Sequence, residues 1–251
     1  HVFISTGDRQ LVPPDRQPLE ENPAQDIRNH AGSIMRINED GSIPSDNPFI
    51  DSPGAKPEIW SYGHRNVQGM IFDHETDELW AIEHGPTGGD ELNLILPGGN
   101  YGWPVIHYGT GRLHYSERDR EGMIQPVEFW TPSIAPSGLA VYYGDKFPEW
   151  RGDIFVGSLR GHELHRLRRQ KQADGRYIIS LAEEPPLLQG IGRIRDVRSG
   201  PDGYIYLAID DHRTRGRFSR VVRLEPEQAI EFNPHYHPFT FGDEGGAAGR
   251  E

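Results

Sequence analysis

One strand pair, used four times, constrains this chain more than any other feature. Four short runs rich in β-branched and aromatic residues recur: Val2 to Ser5, Leu79 to Ile82, Ile154 to Val156 and Tyr204 to Ile209. Each is followed by a second strand-like run, namely Ser33 to Ile37, Leu92 to Leu96, Glu163 to Leu167 and Arg220 to Leu224. Glu39-Asp40-Gly41, Asp51-Ser52-Pro53-Gly54, Leu96-Pro97-Gly98-Gly99 and Gly200-Pro201-Asp202-Gly203 supply the positive-φ and fixed-φ positions that chain reversals need. Helix signals are nearly absent. A period of roughly 50 to 75 residues, with an inner and an outer strand in each unit, predicts an all-β chain built as a β-propeller with insertions between blades. A β-sandwich is the alternative. Residues 1–225 are expected to form blades and residues 226–251 a loop-like or disordered tail.

Composition narrows the class further. A chain of 251 residues with 35% hydrophobic content can bury a core as one large all-β domain or two smaller ones. The 30 glycines and 21 prolines punctuate apolar runs and do not form a low-complexity tract. A formal net charge of -12 repels phosphate backbones and anionic lipid, so neither nucleic acid nor a membrane is an expected partner. With 0 cysteines there is no disulfide framework and no thiolate metal site, which leaves the compartment open. No apolar run approaches the roughly 18 residues of a membrane-spanning helix. The chain opens at His1 directly into a strand, with no charged leader or cleavage site, and the expectation is that processing or truncation removed an upstream segment.

Propellers gather the loops at one end of their inner strands onto an axial cavity, so chemistry is expected there. Gly63-His64-Arg65-Asn66-Val67-Gln68-Gly69 sets a histidine, a cation and an amide between glycines. Such a loop can grip an anionic, hydrogen-bonding ligand, or it can be a hydrogen-bonded turn and nothing more. Glu83-His84-Gly85-Pro86-Thr87-Gly88-Gly89-Asp90-Glu91, followed by Asn100-Tyr101-Gly102-Trp103-Pro104, offers carboxylate and carbonyl oxygens, the donors a hard cation such as Ca2+ takes. A solvated acidic turn is the alternative. His84 beside Glu83 is a poor zinc pair, since no third ligand converges at a defined spacing. His235 and His237 have metal-like spacing but fall in the Pro/Gly-rich tail, where disorder or surface packing is the better expectation. Arg160 follows an inner strand in Ser158-Leu159-Arg160-Gly161, and Arg193-Ile194-Arg195-Asp196 precedes the last blade. In an extended chain Arg193 and Arg195 share a face, where two guanidinium groups repel unless an anion lies between them. Asp196 and nearby acids could neutralise the pair equally well.

The run IWSYGHRNVQGM, then EHGPTGGDELNLILPGGNYGWP, TPSIAPSG and RIRDVRSGPDGYIYL, resembles in order and spacing the soluble glucose/sorbosone dehydrogenases that use pyrroloquinoline quinone (PQQ), especially their aldose sugar dehydrogenase branch. The resemblance runs from about His1 to Leu224. It implies a six-bladed propeller of which about four blades are present here, the N-terminal ones being missing. It also implies a general-base histidine upstream of His1, hence no catalytic residue in this chain. Arg65 and Asn66 match the pair that contacts the quinone oxygens, and Arg160, Arg193 and Arg195 match cations that hold its carboxylates. Gly85 and Pro86 match carbonyl ligands of the cofactor's Ca2+. Glu91 and the Tyr101 carbonyl match a second, structural Ca2+ site. Trp130 matches an aromatic that stacks on the quinone, with Thr131 competing for the position. The implied reaction is oxidation of an aldose at C1 to a lactone, with an unspecified electron acceptor, in the periplasm or outside the cell. A non-catalytic sugar- or quinone-binding propeller and a calcium-dependent lactonase are the alternatives; the lactonase would need carboxylates converging at the axis, whereas this sequence gathers arginines.

Overall fold

Apolar residues that alternate between two buried faces shape the middle of this chain. In the computed structural model, residues 1–9, 18–110, 117–182, 185–211 and 218–226 are described. They form four consecutive antiparallel meanders. The first holds β1 (Val2–Ser5), β2 (Ser33–Ile37) and β3 (Ile59–Tyr62). The second holds β4 (Val67–Asp73), β5 (Glu78–Glu83), β6 (Asp90–Ile95) and β7 (Glu128–Trp130). The third holds β8 (Pro136–Val141), β9 (Ile154–Ser158), β10 (Leu164–Lys171) and β11 (Tyr177–Leu181). The last holds β12 (Arg193–Ser199), β13 (Ile205–Asp211) and β14 (Phe218–Leu224).

Three apolar layers lie between these four sheets. Leu79 and Ala81 of β5 face Ile34 and Phe3 of the first sheet, while Trp80 and Ile82 face the third sheet. In β8 and β9, Leu139, Val141, Ile154 and Val156 pack toward the second sheet, and Ala140 and Phe155 pack toward the fourth. Strands covered on both faces are apolar at nearly every position, which is why these runs read as continuous. Trp80, Phe155 and Ile82 are fully buried. Burial of each such side chain contributes roughly 1.5–3 kcal/mol.

The expected strand pairs are present as β1/β2, β5/β6, β9/β10 and β13/β14, each antiparallel. Their expected place as the inner strands is corrected. It is the leading strands β4, β8 and β12, unrecognised as strands from periodicity, that run against one another from sheet to sheet. A glycine in β4 and in β8, and four charged residues in β12, obscure strand patterning where tight contact matters more than apolar bulk. A Cβ on Gly69 would come 2.6 Å from the Ser137 carbonyl of β8, and one on Gly138 would come 2.4 Å from the Val197 nitrogen of β12. Four sheets that follow one another in this way, with β8 lying against both β4 and β12, differ from the two facing sheets that the sandwich alternative requires.

The strand directions place one set of loops together. The C-terminal ends of β1, β5, β9 and β13 and the N-terminal ends of β4, β8 and β12 all lie at the same end of their sheets. Among the described residues no helix is long and apolar enough to cross a membrane. Residues 227–251, with His235 and His237, lie outside the described residues.

Candidate functional site

A buried carboxylate organises the loop end of the second sheet. Glu83, the last residue of β5, is 4% exposed. Its Oε2 accepts the main-chain N–H groups of Arg65 at 2.7 Å and Asn66 at 3.2 Å. Its Oε1 lies 3.0 Å from His64 Nδ1 and accepts from Asn93 Nδ2 at 3.1 Å. A carboxylate only accepts, so His64 Nδ1 carries the proton of that bond. Burial pushes the Glu83 carboxyl up, but attraction from His64 and the hydrogen bonds from His64, Arg65 and Asn66 outweigh it and hold the group below the ordinary range. His64 is itself fully buried, stacked on Tyr101 at 4.5 Å, with Ser61 Oγ 2.9 Å from its Nε2.

Beside this carboxylate lies a pocket lined by Arg65, His84, Gly85, Pro86, Glu91, Tyr101, Trp103 and His107, among others. Arg65 Nη1 donates to the His84 carbonyl at 3.0 Å, and its guanidinium lies 5.3 Å from the centre of the Trp103 ring. Trp103 is fixed by a 2.8 Å bond from its Nε1 to Asp8 Oδ2. The Arg65 Nε is buried with no hydrogen-bond partner. In the same pocket, desolvation pushes the Glu91 carboxyl well above the usual carboxylate range, with the neighbouring charges of Glu83 and Asp90 adding to the effect. The Oδ1 of Asn93, two residues on, is also buried and unpartnered. A desolvated carboxyl and a guanidinium with an unused donor therefore line the same hollow.

A second acid shapes the loop that carries Gly85 and Pro86. Asp90 is completely buried; its Oδ1 accepts the Gly85 N–H at 3.0 Å, and its Oδ2 accepts Ser133 Oγ at 2.6 Å, Ile134 N–H at 2.9 Å and Ala135 N–H at 3.0 Å. Asp90 thus ties the 84–89 loop to the 131–135 loop. Gly85 admits no side chain, since a Cβ would come 2.1 Å from the Gly88 carbonyl. His84 Nε2 lies 2.7 Å from the Pro136 carbonyl, to which it donates, and this joins the second sheet to the third. The same loop end continues onward, because Arg160 N–H donates to the Ile134 carbonyl at 3.1 Å and Arg193 Nη1 reaches the Leu159 carbonyl at 3.5 Å.

The residues singled out from the sequence are therefore distributed unevenly. Arg65, Gly85, Pro86, Glu91 and Tyr101 line one pocket. Asn66 adjoins it, its Oδ1 accepting from Gln68 Nε2 at 2.9 Å. The Tyr101 hydroxyl is committed elsewhere, donating to the Leu94 carbonyl at 2.6 Å and accepting from Leu96 N–H at 2.8 Å, so only its main chain is available to a ligand. Arg160 is exposed on the loop after β9, and Arg193 is half-buried with an unpartnered Nε. Arg195 differs from expectation: the β12–β13 register shifts between Ile194 and Asp196, so Arg195 occupies a bulge, and its guanidinium pairs with Asp210 at 3.3 Å. The simple alternation that put Arg193 and Arg195 on one face does not hold across a bulge. Trp130 is 9% exposed within the apolar layer between the second and third sheets, 6.1 Å from the His165 ring, while Thr131 is exposed beside it. Burial of Trp130 in the core leaves its ring poorly placed to stack on a ligand, and Thr131 is the residue that faces the loops.

Sequence reading missed the organising roles of Glu83, Asp90 and Asn93. Their signal was present as acids and an amide at the ends of, or within, strongly apolar strands, where a polar side chain survives only if fully hydrogen-bonded.

The family model described as Glucose / Sorbosone dehydrogenase matches residues 1–220. Aldose sugar dehydrogenase YliI of Escherichia coli is 39% identical over 217 residues, covering 84% of this chain and 54% of that protein. A crystal structure of a glucose dehydrogenase superposes with a TM-score of 0.74 at 36% identity, covering 89% of this chain and 60% of that one. The PQQ-bound form of aldose sugar dehydrogenase from Streptomyces coelicolor superposes with a TM-score of 0.63 at 32% identity, covering 89% of this chain and 57% of that one. The chain spans about half the length of the curated relatives it matches.

Proposed function

Because the chain belongs to the glucose/sorbosone dehydrogenase family, we propose that it forms the cofactor-holding part of a propeller enzyme that oxidises aldoses at C1 to lactones with PQQ and calcium. The observation that carries this reading is the convergence of Arg65, Gly85, Pro86 and Glu91 on one pocket. An unpartnered, buried Arg65 Nε in the same pocket as the carboxylate and carbonyl oxygens of Glu91, Gly85 and Pro86 suits an anionic quinone and a hard metal bound together.

When bound, the cofactor pair would supply a two-electron acceptor polarised by a Lewis acid. Arg65 and Asn66 would hold the quinone oxygens, with the Arg65 guanidinium placed to stabilise negative charge on them. Arg193, whose Nε is free of partners, and the exposed Arg160 would pair with carboxylates at the cofactor rim. Arg195 would take part only by exchanging its bond with Asp210 for one to the cofactor. The Gly85 and Pro86 carbonyls would face the calcium ion, with Glu91 and the Tyr101 carbonyl at a second one. Trp103, braced by Asp8, would keep Arg65 from swinging into solvent. Removal of the sugar hydroxyl proton falls, in this reading, to the family histidine placed before His1, and the location outside the cytoplasm comes with the same reading.

The test is to add PQQ with Ca2+ to the purified chain and follow the quinone absorbance, then to measure dye reduction by aldoses in a protein of the relatives' full length. Binding is expected to need Ca2+, and Arg65→Ala is expected to lower turnover at least about tenfold while changing the sugar KM little. No absorbance change with the wild-type chain, or an unchanged turnover number in the variant, would remove this reading.

A further inference from the structure

Glu83 takes no part in the chemistry above, yet its carboxylate seats the Arg65–Asn66 main chain directly and reaches Glu91 through Asn93. We propose that Glu83 is a positioning residue that fixes the separation between the anion grip of Arg65 and Asn66 and the cation-facing arc of Gly85, Pro86 and Glu91. The proposal rests on the quinone and calcium reading. One oxygen of Glu83 takes the main-chain N–H groups of both Arg65 and Asn66, at 2.7 and 3.2 Å. The other faces His64 Nδ1 at 3.0 Å and Asn93 Nδ2 at 3.1 Å, and the same Asn93 nitrogen lies 3.4 Å from Glu91 Oε2. Gly85 follows two residues later on the same strand end. The main chain that presents Gly85 to the pocket therefore also carries the carboxylate that seats Arg65 and Asn66. The Arg65 bond to the His84 carbonyl closes this ring of contacts.

Only an ionised carboxylate meets four N–H donors with no donor of its own. A glutamine would set its amide N–H groups against either the two main-chain donors or His64 and Asn93, so one side of the ring must open. Supporting residues of this kind usually change ligand affinity while leaving the fold intact.

Glu83→Gln tests the idea in the full chain, with Glu83→Asp, which keeps the charge but shortens its reach, as the second variant should the first not fold. In ligand-free protein, amide exchange followed by NMR should be about tenfold faster at Arg65 and Asn66, with Ala81 and Leu92 unchanged and the melting temperature retained. Titration with PQQ in the presence of Ca2+ should then show a Kd raised about tenfold or more. Unchanged exchange at Arg65 and Asn66 in the variants overturns the proposal, as does faster exchange with unchanged affinity. A wild-type chain that takes up no PQQ overturns the quinone reading instead, and the positioning role then stands or falls on amide exchange alone.

Discussion

At the scale of single residues, this molecule relies on acids that serve as hubs for main-chain donors. Asp90 shows the pattern most clearly, since its two oxygens collect three main-chain N–H groups and one hydroxyl from two loops. Truncation would leave the Gly85 and Ile134 N–H groups without this acceptor, while Ala135 N–H keeps only Ser133 Oγ at 3.0 Å. Asp90→Ala should therefore cost roughly 3 kcal/mol or more, read as a lower urea midpoint at unchanged m-value. Asp90→Asn should recover part of that loss, because one carbonyl oxygen can still serve the donors on one side. Equal midpoints for wild type and Asp90→Ala would mean that the loops hold themselves. Neither role was legible in the sequence, where Asp90 reads as one acid in an acidic, glycine-rich turn; only its placement at a buried strand start distinguishes it from a solvated one.

At the scale of elements, the sheets are joined differently at their two ends. The loop end is held by the hubs just described, and the far end by a cluster around Asp73 at the close of β4. Asp73 has a fully buried side chain paired with Arg169 of β10, and its Oδ2 accepts from Tyr143 Oη and Thr76 Oγ1, each at 2.9 Å. Arg169 also donates from Nε to the Gly152 carbonyl at 2.6 Å. Burial raises the Asp73 carboxyl, but the Arg169, Tyr143 and Thr76 bonds prevail and hold it below 3.8. A carboxyl whose folded value is depressed contributes stability that is present above its unfolded value, near 3.8, and is lost as pH falls through the lower folded value. Asp73→Asn should then be about 3 kcal/mol less stable than wild type at pH 7, with the gap narrowing as pH drops below about 4. Melts at pH 7 and pH 3 check this, and a gap independent of pH would contradict it. The β-branched and aromatic strands of these sheets were readable from their composition and flanking turns, whereas β4, β8 and β12 were not. Close approach between sheets requires Gly69 in β4 and Gly138 in β8, and β12 carries charged residues, where a periodicity argument looks for apolar ones.

At the scale of the whole molecule, each sheet packs through apolar layers on its sequence neighbours, so stability is graded along the chain. The second and third sheets are covered on both faces. The first leaves Val2 and Ile4 each 41% exposed, and the fourth leaves Val221 73% exposed. In this 251-residue chain, amides of β1 and β14 should exchange at least about tenfold faster than those of β5 and β9. Hydrogen exchange read by mass spectrometry checks the gradient, and uniform protection would show a single cooperative unit instead.

The sequence by itself determined the all-β class, the four strand pairs and the loops that bring Arg65, Gly85, Pro86 and Glu91 to one pocket, because strand composition and turn chemistry are local and the motifs are contiguous. Tertiary structure alone decided which strands touch from sheet to sheet, that Trp130 belongs to the core, that a bulge separates Arg195 from Arg193, and that Glu83 seats the Arg65–Asn66 main chain and reaches Glu91 through Asn93. Each of these depends on contacts between residues far apart in the chain or on a break in register. Neither leaves a periodic trace in one strand's sequence.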